Sequence, residues 1–290
     1  MTDGRTRSGD LRRRLTSGEV VVMPGVWDPL SALIAHEEGF STVFVSGYAV
    51  SASLLGLPDV GFVGQAEMAD VARRICASVP RTNVVVDADT GYGNAMSVRR
   101  TVELWEAAGA AGLFLEDQTW PKRCGHMAGK EVVPRDEWLG KLRAAVESRE
   151  HLFVTARTDA LAAVSVDEAV DRAKAARDVG VDAVFVEAPQ SVAHLERIAA
   201  EVSGVTLVAN MVERGRTPLL TPGELAGLGF RLVVSPLSLL LSAVRAARET
   251  AAELARAGTL RDSLDRLTPF DEFNEFLGLA NLIADSERYR

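Results

Sequence analysis

Four glycines in this chain are each followed, five residues on, by a bulky apolar residue inside a short strand-like run. Gly39 leads to Phe44, Gly109 to Phe114, Gly180 to Phe185 and Gly229 to Val234. A helical, mostly alanine-bearing stretch precedes each glycine. Glycine is favoured just past a helix end because it accepts positive φ without a steric penalty, and a short continuous apolar run behind it is what a strand buried on both faces requires. Each is a helix-to-strand junction. Four of them in one chain point to alternating helices and strands around a parallel sheet.

All such runs together give eight strand candidates: Val20 to Pro24, Thr42 to Ser46, Val84 to Asp89, Leu113 to Asp117, Phe153 to Thr158, Ala183 to Glu187, Thr206 to Asn210 and Leu232 to Ser235. Helical patterns such as Ser97 to Ala108, Arg135 to Ser148, Val166 to Val179 and Ser191 to Val202 lie between them. Eight strands with helical crossovers in 290 residues predict an α/β fold, a closed (β/α)8 TIM barrel. The alternative, a doubly wound open sheet, more commonly carries a glycine-rich phosphate turn after its first strand, and no such turn follows Val22. The expected organisation is a polar arm or helix over residues 1–19, the barrel over 20–257 and a helical extension over 258–290. In the extension Phe273, Phe276, Leu277, Leu279 and Leu282 form a broad apolar face, which predicts a homo-oligomer.

Composition narrows the function classes. With 32 Lys and Arg against 40 Asp and Glu the formal charge is −8, so a nucleic acid would be held against a repulsive field. Two cysteines, Cys76 and Cys124, in a chain too long to need disulfide staples predict a reducing, cytoplasmic setting. The Arg-rich N-terminal stretch lacks the apolar core of a secretory signal and no run approaches a membrane span, so neither export nor a membrane partner is expected.

In a barrel of this kind the chemistry sits at the C-terminal strand ends. Here those ends are polar: Ser46-Gly47, Asp87-Ala88-Asp89, Glu116-Asp117, Arg157-Thr158-Asp159, Glu187, Asn210 and Ser235. Carboxylates converging on one mouth repel unless something positive lies among them. Oxygen ligands without a His/Cys cluster favour Mg²⁺, with Mn²⁺ as the alternative, and Asp87, Asp89 and Glu116 are the expected ligands, the two aspartates facing one side of their strand. The competing reading is that these acids only cap the following helices. Arg157 is suited to gripping a carboxylate or phosphoryl group, or alternatively to an ion pair with Glu187 or Asp159. Ser46 and Gly47 offer a carboxylate nest or merely a tight turn. The loop Pro121-Lys122-Arg123-Cys124-Gly125-His126, with Gly129-Lys130 beyond, is electropositive enough to lower the Cys124 pKa, whereas Cys76 reads as buried filler. A Cys124–His126 pair for acyl transfer is the weaker reading of that loop, because sequence adjacency does not set the geometry.

The segments Leu54-Leu55-Gly56-Leu57-Pro58-Asp59, Asp87-Ala88-Asp89-Thr90-Gly91-Tyr92-Gly93-Asn94, Leu115-Glu116-Asp117-Gln118, Lys122-Arg123-Cys124-Gly125-His126, Ala156-Arg157-Thr158-Asp159 and Ala209-Asn210-Met211 resemble, in this order, the isocitrate lyase/phosphoenolpyruvate mutase superfamily. The resemblance runs from about Met23 to the C-terminal helix. It implies a barrel whose last helix is exchanged between subunits of a tetramer, and a Mg²⁺-bound α-oxo acid at the strand ends. Asp87, Asp89 and Glu116 would hold the ion directly or through water. Ser46, Gly47 and Asn210 would cradle the substrate carboxylate, Asp59 and Gly125 would lie on the substrate's side, and Arg157 and Glu187 would orient the reacting groups.

In the lyase branch the cysteine of the Cys-Gly-His loop acts as general acid and base, here Cys124 with His126 beside it. Lyases of this group often carry a tyrosine near the position of Phe44; Tyr48 is the nearest substitute. The resemblance thus implies cleavage of a small carboxylate substrate, a 2-hydroxy di- or tricarboxylate of the 2-methylisocitrate or alkylmalate type, to an α-oxo acid and a carboxylate. The alternatives are a phosphonomutase and an oxaloacetate decarboxylase, with an inactive scaffold barrel as the non-enzymatic reading.

Overall fold

The structure is a computed structural model and describes residues 4–123 and 129–289. Its strands are β1 (Val21–Val26), β2 (Thr42–Val45), β3 (Asn83–Asp87), β4 (Gly112–Glu116), β5 (Phe153–Thr158), β6 (Ala183–Val186), β7 (Thr206–Asn210) and β8 (Phe230–Ser235). Every neighbouring pair is parallel and β8 pairs with β1, so the eight strands close a barrel. All eight expected strands are present, several ending one or two residues earlier than the sequence runs predict.

The helices α1 (Gly4–Thr16), α2 (Pro29–Glu37), α3 (Gly47–Val50), α4 (Gln65–Ser78), α5 (Ala95–Ala108), α6 (Arg135–Ser148), α7 (Ala160–Ala163), α8 (Val166–Val179), α9 (Val192–Glu201) and α10 (Pro222–Leu228) precede or alternate with these strands. A π-helical turn, Ser51–Leu55, extends α3. Their ends are chemically marked. Asn94 caps α5 by accepting from the Met96 and Ser97 amides, and Ser165 and Thr221 cap α8 and α10. Gly109, Gly180 and Gly229 terminate the same three helices at φ of 87°, 96° and 105°, the left-handed conformation that the junction pattern requires.

The barrel's opposite, N-terminal end is packed by α1. Leu11 and Leu15 belong to the cluster that fills the barrel interior with Met23, Phe44, Phe114 and Phe185. The Ser8 hydroxyl donates to the Ala111 carbonyl at 2.6 Å, and the buried Arg7 guanidinium donates to the carbonyls of Gly109 and Cys76 at 2.7 and 2.9 Å. The arginine bonds satisfy carbonyls at the C-terminal ends of α4 and α5, and the serine bond ties α1 to the residue that precedes β4.

The chain divides into two compact units, Met1–Leu241 and Ser242–Arg290. The second comprises most of α11 (Ser238–Ala257), a 3-10 turn at Leu264–Arg266, α12 (Phe270–Phe276) and α13 (Leu279–Glu287). Within it Arg266 pairs with Glu249 and Glu253, both at 3.1 Å, and the rings of Phe273 and Phe276 stack with centroids 6.1 Å apart. Among the described residues no helix is long and apolar enough to cross a membrane.

Candidate active site

The bulky residues of the junction pattern form one layer across the barrel. Phe44, Phe114, Phe185 and Val234 come from β2, β4, β6 and β8, the alternate-strand arrangement of a barrel layer. Ring centroids are 4.9 Å apart for Phe44–Phe114 and 5.8 Å for Phe114–Phe185. All four line the floor of a cavity of about 50 Å³ at the C-terminal mouth, whose walls include Ser46, Tyr48, Asp59, Asp87, Arg157 and Asn210. Strand periodicity explains what stands above the floor: two residues beyond the phenylalanines come Ser46 and Glu187, which line the walls, and Glu116, which pairs with the wall residue Arg157. The intervening strands β3, β5 and β7 contribute Asp87, Arg157 and Asn210.

Arg157 is the hub of this ring. Its Nε and Nη2 form a two-pronged pair with Asp159 at 3.0 and 3.1 Å, Nη1 meets Glu116 Oε2 at 3.0 Å, and Nη2 lies 3.4 Å from Glu187 Oε2. The guanidinium also sits over the Phe185 ring, 5.6 Å from its centroid. Asn210 donates to both Glu187 oxygens at 3.3 Å. The sequence left open whether Arg157 grips substrate or pairs with Asp159 or Glu187; both ion pairs form, while the residue still lines the cavity.

Across the mouth, the Lys122 ammonium lies 2.5 Å from Asp59 Oδ1 and 2.7 Å from Asp89 Oδ1, all three side chains buried. Asp89 follows β3 in a turn at φ 45°, a left-handed conformation uncommon away from glycine. Its amide donates to Asp87 Oδ1 at 3.0 Å. The two aspartates therefore share one locality through this turn and not, as the sequence predicts, through alternation along one strand. The Gly47 amide donates to Asp87 Oδ2 at 3.3 Å, and a Cβ at position 47 would come within 2.8 Å of that oxygen, so glycine is what lets the backbone approach.

Charge in this ring is poorly balanced. Among the described residues six acids (Asp59, Asp87, Asp89, Glu116, Asp159 and Glu187) face four cations, Lys122, Arg123, Lys130 and Arg157. Burial pushes the Asp89 carboxyl up to about 7, against the pull of Lys122, with Asp87 and Asp59 adding to the rise. Burial likewise drives Glu116 well above the usual carboxylate range despite Arg157. For Asp159 burial acts upward too, but Arg157 and Lys130 outweigh it and hold the carboxyl below its ordinary value.

Glu116 Oε1 is buried without a hydrogen-bond partner among the described residues, the mark of an acceptor awaiting a donor or a cation. A hard, oxygen-seeking divalent cation fits this donor set. Among the described residues no three His, Cys, Asp or Glu side chains form a group that could hold a metal ion by themselves.

A family model described as phosphoenolpyruvate phosphomutase matches residues 11–255. The chain belongs to the phosphoenolpyruvate phosphomutase family. Within that family it is 45% identical over 275 residues to the chloroplastic carboxyvinyl-carboxyphosphonate phosphorylmutase of Arabidopsis thaliana, covering 93% of this chain and 81% of that one. It is 41% identical over 276 residues to the 2,3-dimethylmalate lyase of Eubacterium barkeri, with 94% of each covered. The solved structure of an oxaloacetate acetylhydrolase in complex with the inhibitor 3,3-difluorooxalacetate superposes with a TM-score of 0.93 at 36% identity, covering 100% of this chain and 98% of that one.

Of the candidates for this family member's site, Ser46, Tyr48, Asp59, Asp87, Arg157, Glu187 and Asn210 line one cavity, and Asp89 and Glu116 are tied to it by their ion pairs. Cys124, Gly125 and His126 lie outside the described residues. Ser46 additionally caps α3, accepting from the Ala49 amide at 3.4 Å.

Sequence reasoning missed two participants. Lys122 and Lys130 read only as charges on a loop, yet they fasten the two ends of residues 122–130 to site acids, Lys130 by a 2.5 Å contact with Asp159. Asp159 was visible only as Arg157's possible partner. The available signal was the surplus of acids at the strand ends, which demanded local cations.

Proposed function

We propose that this chain is a carbon–carbon lyase that requires a divalent cation, Mg²⁺ first and Mn²⁺ second. Its substrate on this reading is a small 2-hydroxy di- or tricarboxylate of the alkylmalate or 2-methylisocitrate type, cleaved to an α-oxo acid and a carboxylate. The observation that carries it is the under-neutralised acid ring, with the unpartnered Glu116 Oε1 at its edge. The identity with a 2,3-dimethylmalate lyase supports the reaction type.

Asp87, Asp89 and Glu116 would hold the ion. When bound, it would supply positive charge to the oxo-acid oxygen as electron density builds there. Ser46 and Asn210 are placed to meet a substrate carboxylate, and Phe44, Phe114 and Phe185 keep the floor dry, which strengthens every charge interaction above it. Arg157, locked by Asp159, presents a fixed positive charge that costs no reorganisation as negative charge develops. Cys124 would deliver the proton that the departing carbanion needs, its electropositive loop favouring a thiol able to give and take a proton near neutral pH. Phe44 offers no hydroxyl, and Tyr48, on the same cavity wall, would hydrogen-bond the substrate's hydroxyl.

A second reading is a phosphonomutase acting on a carbon–phosphorus bond, favoured by the 45% identity with the plant phosphorylmutase. The third, an oxaloacetate decarboxylase, has no comparable support. The test is a substrate panel with Mg²⁺: oxo-acid release from 2,3-dimethylmalate, other alkylmalates and 2-methylisocitrate, beside phosphorus NMR on phosphonopyruvate. The proposal predicts oxo-acid release and an unchanged phosphorus signal; a shifted phosphorus signal with no oxo acid from any hydroxy acid would replace it with the second reading. A cytoplasmic enzyme working as a homo-oligomer, with its last helix exchanged between subunits, completes the proposal.

A further inference from the structure

Past Glu116 the chain leaves β4 and is paired at once with its own return segment. The Thr119 amide donates to the Glu131 carbonyl and the Val133 amide to the Asp117 carbonyl, both at 2.9 Å, and Gln118 and Val132 form an antiparallel bridge. Beyond this base the Gln118 side chain adds a second pairing. Its Oε1 accepts from the Arg123 amide at 2.9 Å, and its Nε2 donates to the Arg123 carbonyl at 2.8 Å. A carboxamide carries one acceptor and one donor side by side, so it meets both main-chain groups of one residue as a neighbouring strand would. Gln118 is buried, and it lines a neighbouring pocket rather than the mouth cavity.

What this amide holds does reach the mouth. Lys122, one residue before the clamped position, sets its buried ammonium between Asp59 and Asp89, and Arg123 itself lines the cavity. Long cationic side chains have much rotamer freedom to lose, and a backbone already held lowers the cost of fixing them. The next residue in the chain is Cys124, the proton donor of the proposed reaction.

We propose that Gln118 is a positioning residue. By clamping the Arg123 main chain it fixes where Lys122 and Arg123 meet the acid ring and from where the chain continues to Cys124. Its effect on turnover rests on the proposed reaction; the clamp itself does not.

The test is brief digestion of the full chain with trypsin, read by mass spectrometry, beside steady-state kinetics in Mg²⁺. Trypsin cuts after Lys122 and Arg123 only when that backbone is released, so its rate there reports the open population. Gln118→Leu should speed cleavage at these two bonds by about tenfold or more, with cleavage after the exposed Arg256 unchanged. On 2,3-dimethylmalate its kcat should fall by about tenfold with KM changed by less than about threefold. Gln118→Glu keeps the acceptor and loses the donor, so both effects should be intermediate; if Gln118→Leu does not fold, Gln118→Glu decides. Unchanged cleavage at the two bonds, cleavage quickened equally at Arg256, or quickened cleavage with an unaltered kcat would each overturn the proposal. If the unaltered chain turns over none of the hydroxy acids, the proposed reaction fails, and the tryptic comparison alone decides for or against the clamp.

Discussion

Arg157 shows how one side chain is asked to do two things. Its planar fork closes on Asp159 while its remaining edge faces Glu116, so the charge is immobilised at the cavity wall. Arg157→Lys keeps the charge but loses the fork. We expect kcat/KM to fall by about a hundredfold or more with the circular dichroism spectrum unchanged, since a flexible ammonium cannot satisfy three carboxylates at once. Cys124→Ser should lower kcat by about a hundredfold or more with a smaller change in KM, the pattern of lost proton transfer; full turnover in steady-state assays would remove the thiol from the mechanism.

Asp159 sets a sign for pH. Its folded pKa lies below its unfolded value, so the stability it contributes is fully present above about pH 4 and is lost as pH falls through the folded value. Asp159→Asn should therefore lower Tm at neutral pH and flatten the acid limb of a Tm-against-pH series below about pH 4.

At the scale of elements, the barrel and much of its mouth were legible because strands are periodic. Gly109, Phe114 and Glu116 illustrate this: the glycine ends α5, the phenylalanine five residues on enters the floor, and the glutamate two further on pairs with Arg157 in the wall. Gly180, Phe185 and Glu187 repeat it. Asp89 departs from strand periodicity because β3 ends at Asp87 and a left-handed turn follows. The partners of Lys122 and Lys130 were not legible, because an ion pair between residues far apart in sequence depends on which loops the barrel brings together.

Two substitutions test these elements. Gly180→Ala has open space around its Cβ, the nearest atom lying 4.0 Å away, so the cost is conformational alone and should be about 1–2 kcal/mol in chemical denaturation. Phe114→Ala removes a ring from the floor layer and should cost about 3–5 kcal/mol by the same measurement.

At the scale of the whole molecule, the single chain leaves its second unit without a core. No described residue from Ser242 onward is buried, and Phe270, Leu264 and Leu282 are exposed at 79%, 64% and 66%. Apolar surface of that extent favours association. Light scattering at micromolar concentration should give at least twice the 31.1 kDa chain mass, and Phe270→Asp combined with Leu282→Asp should lower it; a monomeric mass for the unaltered chain would contradict the expectation. The barrel's acid ring lies within Met1–Leu241, and on the proposed function a divalent cation would answer its charge imbalance.

The most direct test is the initial rate of oxo-acid release from 2,3-dimethylmalate after chelation, followed through a titration with Mg²⁺. A rate that falls to background on chelation and returns along a saturable curve is what this site predicts. A rate indifferent to the chelator, or no oxo acid at any Mg²⁺ concentration, would contradict it.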